Sequence, residues 1–141
     1  MITLKQVSKK NKKKVDSFKI KEWKKHDKEN NYVYKEKKFR FAAYNGEDVI
    51  GNAYGNTNGG VAYLDGLIVS KKYRNRGIGK MLLKKFEETA KKRKCHLAYL
   101  KTSEKHIEAL NFYKKNGYKT IATLPNNKFG FTWYYLGKEI R

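Results

Sequence analysis

The sequence is short of several things. It has one cysteine, Cys95, so no internal disulfide framework can brace it. It has one proline, Pro125, which marks no linker between domains. No apolar run approaches the length of a membrane helix, and the N-terminus has no signal-peptide core. Acidic residues are scarce: Lys and Arg outnumber Asp and Glu by 34 to 13, a formal charge of +21. Arginine is scarce too, with five, so lysine supplies nearly all of the excess. A soluble, cytoplasmic chain of one domain, residues 1–141, is expected. Cys95 lies where a strand should begin and reads as a buried thiol rather than a nucleophile. The positive charge attracts anionic partners such as nucleic acid, acidic peptides or coenzymes. The alternative is a solvated lysine surface, since the lysines run along the whole chain.

What is present is organised around residues 64–83, LDGLIVSKKYRNRGIGKMLL. Leu67-Ile68-Val69 is an apolar run of strand type, and helical spacing begins at Ile78. Between them lies a basic glycine loop. A helix start leaves about four N–H groups without internal partners, and its dipole adds partial positive charge. Glycines let a ligand approach the backbone closely. With Arg74, Arg76 and Lys80 alongside, the stretch reads as a pyrophosphate cradle; the bland alternative is a solvated basic turn. A Walker loop is excluded because Arg74 stands where its first glycine should be and Met81 follows Lys80. A dinucleotide fingerprint is excluded because Leu82 replaces the third glycine.

The remaining pattern is of the α+β kind. Ile2–Val7 alternates as a first strand. Residues 8–31 predict one or two short helices, with Asp16 and Ser17 as a cap for the second. Residues 9–14, KKNKKK, read either as a basic arm or as a surface loop. Strands follow at 39–44, 48–56 and 61–69, joined by turns at Asn45-Gly46 and Gly59-Gly60. A helix is predicted over about 77–93, burying Ile78, Met81, Leu82, Phe86 and Ala90. A strand at 96–102 would lie parallel to 61–69 if the two are neighbours. Ser103 then caps a helix to Lys115, and strands at 118–123 and 129–136 close a hairpin. The whole is a mixed, mostly antiparallel sheet of about seven strands with a central parallel pair and about four helices.

Arg74-x-x-Gly77-x-Gly79 resembles the Q/R-x-x-G-x-G/A motif of the GNAT superfamily of acyl-coenzyme A-dependent N-acyltransferases. A second block, residues 106–118 (HIEALNFYKKNGY), is similar to the family's N-x-x-A-x-x-F/L-Y-x-x-x-G-F/Y pattern. Ala109, Phe112, Tyr113, Gly117 and Tyr118 match it; His106 stands where the family usually has Asn. The blocks follow in family order, and the resemblance covers roughly residues 37 to 137.

The resemblance implies an N-acetyltransferase that moves an acetyl group from acetyl-coenzyme A to an amine by direct attack. Coenzyme contacts would come from Leu67, Ile68, Val69, Arg74, Asn75, Arg76, Gly77, Ile78, Gly79 and Lys80, with His106 either contacting the coenzyme or lying free on the surface. Tyr113 would protonate the departing thiolate. Many members carry an acidic base on the strand before the cradle, aligned with Tyr63 here, which cannot serve. Asp65, one pleat on, could take the amine proton; its alternative is a bulge residue beside Gly66. No metal is expected. The acceptor, a small molecule or a peptide amine, would be set by the N-terminal helices and last strands, around Trp23, Tyr32, Tyr34, Phe129, Phe131 and Trp133. A homodimer is common in the family. A reading of another class stays open beside it: a basic nucleic-acid- or ribosome-associated module on the same fold.

Overall fold

The computed structural model describes residues 1–141, which form two compact units, 1–34 and 35–141. The first unit is built on α1 (Lys12–Glu29). Its start is fixed by Ser8 and Asn11: the Ser8 N–H donates to Asn11 Oδ1 at 2.7 Å, and the Ser8 carbonyl accepts from Asn11 and Lys12. The basic run at 9–14 is thus the entry and first turn of one long helix rather than an extended arm. Asp16 and Ser17 lie inside that helix, where Asp16 pairs with Lys12 across one turn at 2.6 Å. Ile2–Val7 does not form the expected strand. Alternation supplies two faces but no partner, and the side chains of Ile2 and Leu4 are almost fully exposed.

The second unit is a six-stranded mixed sheet: β1 (Lys37–Asn45), β2 (Asp48–Asn58), β3 (Val61–Val69), β4 (Leu97–Ser103), β5 (Lys119–Leu124) and β6 (Trp133–Glu139). The order is β1-β2-β3-β4-β6-β5, and only β3–β4 is parallel. Two helices complete it, α2 (Ile78–Lys92) and α3 (Ile107–Lys115). The α+β class, the parallel pair and the closing β5–β6 hairpin are as expected; the totals are six strands and three helices.

Boundaries moved where distant pairing decides them. Ser103 does not cap α3; it is buried at the end of β4, opposite Trp133. His106 is the N-cap residue instead, its N–H bonded to the Ser103 carbonyl. The last strand starts at Trp133, because residues 128–130 form a tight turn in which Phe129 has φ +60°. α2 buries Leu82, Leu83, Phe86 and Ala90, while Met81 is exposed. Met81 sits about 100° round the helix from Leu82 and so leaves the stripe that faces the sheet.

The core lies between α2, α3 and one face of the sheet. Phe86 is fully buried and its ring meets that of Phe39 on β1 at 5.2 Å. Cys95 is buried in this cluster, and burial raises its thiol pKa. The Tyr118 hydroxyl donates to Glu87, which also pairs with Lys138; burial first, then Glu87, holds that hydroxyl protonated. Arg93, just past α2, bonds the carbonyls of Lys37 and Lys38 and so fastens the start of β1.

Candidate functional site

Two features of the fold make a site: an interruption in the sheet and an unsatisfied helix start beside it. β3 and β4 pair over four rungs, Val61–Leu64 with Leu97–Leu100. Beyond Leu64, β3 continues against β2 alone and β4 against β6 alone. The parting follows a bulge. Tyr54 of β2 faces Gly66 while the next residue, Gly55, faces Leu64, so Asp65 is left without an opposite number. Such an extra residue bends a strand and increases its twist.

Two glycines make that bulge possible. A Cβ on Gly55 would lie 1.9 Å from the Tyr63 carbonyl oxygen, and one on Gly66 would lie 2.5 Å from the Tyr54 ring. The bulge also switches parity, since Ala62 and Leu64 face the core before it and Val69 after it. On the β2 side, Ser70 N–H bonds the Ile50 carbonyl. Main-chain groups alternate along a strand, so those of Leu67 and Val69 point into the gap that β4 has left. Ile68 is exposed and Leu67 is half-buried against the core.

The loop between β3 and α2 begins with a tight turn at Lys71–Tyr73. Asn75 has φ +61° and Gly77, the N-cap residue, has φ +79°. Arg74 N–H bonds the Lys71 carbonyl, and Met81 N–H bonds the Gly77 carbonyl. Between them, the six main-chain N–H groups of Asn75, Arg76, Gly77, Ile78, Gly79 and Lys80 have no acceptor within the protein. The space at Gly77 is open, with no atom within 4 Å of where a Cβ would stand. Six unsatisfied donors in sequence, with open space at Gly77 and at the positive end of a helix, suit a multiply charged anion.

The side chains of the loop are arranged less simply. Arg74 does not stand free: its Nε donates to the Val69 carbonyl at 3.0 Å, which locks the loop to the strand end. Arg76 lies over the Tyr73 ring at 5.4 Å, with Lys72 at 5.3 Å, and Asn45 bonds the Tyr73 hydroxyl. Lys80 is exposed on the first turn of α2.

Tyr113 projects from α3 into the core beside Phe112 and Tyr118. It is 7 % exposed, and burial pushes its hydroxyl pKa up to about 12. No buried side-chain polar atom lacks a partner, and no protein group bonds the Tyr113 hydroxyl, so that oxygen meets the surface at the edge of the core. Phe112 reaches α2, with its ring 3.5 Å from the Cβ position of Gly79, so the start of α2 and α3 are in contact. His106 is exposed at the start of α3.

The face of the sheet opposite α2 carries Tyr63 and Tyr99, directly opposite each other, and Tyr135 diagonal to Tyr99, with centroids 4.8 and 5.9 Å apart. Burial, and then the Asp65 carboxylate, raise the Tyr63 hydroxyl pKa. Asp65 also lines a pocket of ≈ 690 Å³ with Lys38, Phe39, Arg40, Tyr54, Gly55 and Asn56. The sequence reading missed this pocket. The alternation of Lys38 and Arg40 shows that they share a face, but not which strands lie beside them.

Of the aromatics expected near an acceptor, Phe129 is exposed and Trp133 bonds the Lys128 carbonyl in the second unit. Trp23, Tyr32 and Tyr34 lie in the first, linked through His26 by ring contacts of 5.1 to 6.3 Å. No helix is long and apolar enough to cross a membrane.

A mixed sheet with one parallel pair that parts at a bulge is the fold this chain shares with solved acetyltransferase structures. The chain belongs to the acetyltransferase (GNAT) family, whose model matches residues 9–118, and it is therefore classed with the acyl-CoA-dependent N-acetyltransferases. It is 30 % identical over 125 residues to streptothricin acetyltransferase A of Bacillus subtilis (strain 168), covering 82 % of this chain and 72 % of that one. A shorter match, 42 % identical over 52 residues, covers 37 % of this chain and only 32 % of the uncharacterized protein YdhI of the same organism. In fold it is similar to an acetyltransferase from Bacillus cereus ATCC 14579, with TM-score 0.79 and 20 % identity, over 98 % of this chain and 97 % of that one. It is also similar to an aminoglycoside 6′-N-acetyltransferase complexed with coenzyme A, with TM-score 0.67 and 21 % identity, over 74 % and 73 % of the two chains.

Proposed function

We propose that this chain, acting as one domain over residues 1–141, transfers an acetyl group from acetyl-coenzyme A to a primary amine by direct attack in a ternary complex. The observation that carries the reading is the run of six unpartnered N–H groups from Asn75 to Lys80, beside the gap where β3 leaves β4. The N–H groups fit a diphosphate, and Arg76 and Lys80 add charge. The main-chain groups of Leu67 and the Val69 N–H, which face the gap, fit the amide-bearing pantetheine arm as an added strand would. Arg74 serves by holding the loop, since its Nε is committed to the Val69 carbonyl. His106, exposed at the α3 start, takes the place of the family's asparagine at the coenzyme.

The chemistry follows from the two sides of the gap. The amine nitrogen attacks the thioester carbonyl carbon, and Asp65 accepts the proton that the nitrogen loses, directly or through one water. The carbon–sulfur bond then breaks, and the Tyr113 hydroxyl gives its proton to the sulfur. Holding both substrates at the gap supplies proximity, so no acyl-enzyme is needed. No side chain there has a nucleophile's activating base, and Cys95 is buried with a raised pKa.

The test is thiol release from acetyl-coenzyme A over a panel of primary amines, read beside the thermal melt of the chain with the coenzyme. The expected result is a higher melting temperature with acetyl-coenzyme A at moderate salt, and amine-dependent thiol release. Absence of both, with tight salt-sensitive binding of RNA or DNA instead, would replace this reading by the nucleic-acid one.

A further inference from the structure

We propose that the acceptor is a small amine that also carries an anionic group several bonds away, a carboxylate or a phosphate. It binds in the pocket on the sheet face opposite α2. This rests on the reading of the chain as an N-acetyltransferase and adds the chemical class of its acceptor.

The register places the pocket's charges. Arg40 lies opposite Tyr54, and Tyr54 opposite Gly66, so the three form one row across β1, β2 and β3. Lys38 lies opposite Asn56, which lies opposite Tyr63, in the next such row. Asp65 is the bulged residue between these rows. Two strand spacings separate the basic strand from the acidic one, roughly 10 Å between backbones. Lys38, Arg40 and Asp65 are all exposed, and none has an ion-pair partner within 4.0 Å.

The pocket thus has a carboxylate at one end and two cations at the other, held apart by the width of β2. The Tyr54 ring covers Gly66 between them. A neutral primary amine fits the Asp65 end, donating an N–H to the carboxylate that takes its proton on attack; this is also the end where β3 and β4 part and the thioester is expected. Arg40 offers a planar fork to a carboxylate or phosphate, and Lys38 adds a second charge. A short methylene chain between the two groups would lie along Tyr54. A polyamine fits worse, because its second ammonium would fall beside Arg40 and Lys38, on a chain already carrying +21.

The experiment uses the full chain, acetyl-coenzyme A, and four amines of matched length: a short ω-amino acid, its amide, the corresponding diamine and the aminoalkyl phosphate. The expected result is a kcat/KM for the two anionic amines roughly tenfold or more above those for the amide and the diamine. The ratio between the acid and the phosphate tells which anion the site takes. Lys38→Ala with Arg40→Ala should erase the preference, chiefly through KM, while the melting shift given by acetyl-coenzyme A stays. Equal or better turnover of the amide or diamine overturns the proposal, as does a double variant that keeps the preference. A melting shift with no turnover of either anionic amine overturns it too. If acetyl-coenzyme A gives no shift at all, the acetyltransferase reading itself falls and takes this one with it.

Discussion

Tyr113→Phe is expected to lower turnover by roughly 10²–10⁴-fold, the span typical of a lost general acid, and to leave acetyl-coenzyme A binding unchanged. The ring supplies packing against Phe112 and Tyr118, which phenylalanine keeps. Only the hydroxyl is removed, and no protein group bonds it, so no partner is stranded. Burial shapes how this acid works. A hydroxyl with pKa pushed up to about 12 gives its proton less readily than free tyrosine, but it keeps that proton over the whole neutral range. It can therefore donate a hydrogen bond to the sulfur as negative charge gathers there and pass the proton as the bond breaks. The sign is definite: the competent form is the protonated one, and raising the pKa extends it toward alkali. Tyr113 should impose no loss of turnover as the pH rises from 8 through 10; its limb appears only as the pH nears 12. Steady-state rates with a fast acceptor, beside the coenzyme-dependent melting shift, check both parts. Unchanged turnover in the variant, with chemistry rate-limiting, would remove Tyr113 from the mechanism.

Gly77→Glu is expected to weaken coenzyme binding by roughly 100-fold or more. The residue sits at φ +79° as the N-cap of α2, with open space where its side chain would go. A carboxylate entering that space would take the place of the diphosphate at the same N–H groups and repel it. Gly77→Ala separates the causes. It adds the strain of a left-handed backbone but no charge, so it should melt lower while binding far better than the glutamate variant. Titration of acetyl-coenzyme A into each variant, with a melt of the free protein as the folding control, measures the difference. Normal binding by Gly77→Glu would mean that the phosphate site lies elsewhere.

The stretch from Leu64 to Leu83 was legible because its information is local. A glycine loop, an apolar strand and a helical stripe declare themselves within twenty residues, and β3 runs over Val61–Val69 as its pattern indicates. Asp65-Gly66 announced a break, and the bulge is there. What failed depends on partners far along the chain. Ile2–Val7 has strand alternation and no strand to pair with. Ser103 has a cap's chemistry, yet its pairing with Trp133 keeps it in β4. Arg74 reads as a free cation until the strand end curls back and offers it the Val69 carbonyl. The pocket at Lys38, Arg40 and Asp65 draws on three strands whose register no single segment specifies.

The central claim is that a run of main-chain donors at the start of α2 holds the coenzyme's diphosphate. Amide hydrogen exchange, resolved by residue with and without saturating acetyl-coenzyme A, addresses those donors themselves. The account requires the N–H groups of Asn75 to Lys80 to exchange fast in the free chain and markedly slower in the bound one, with α1 unchanged. Bound coenzyme that leaves those six exchanging as before would contradict it.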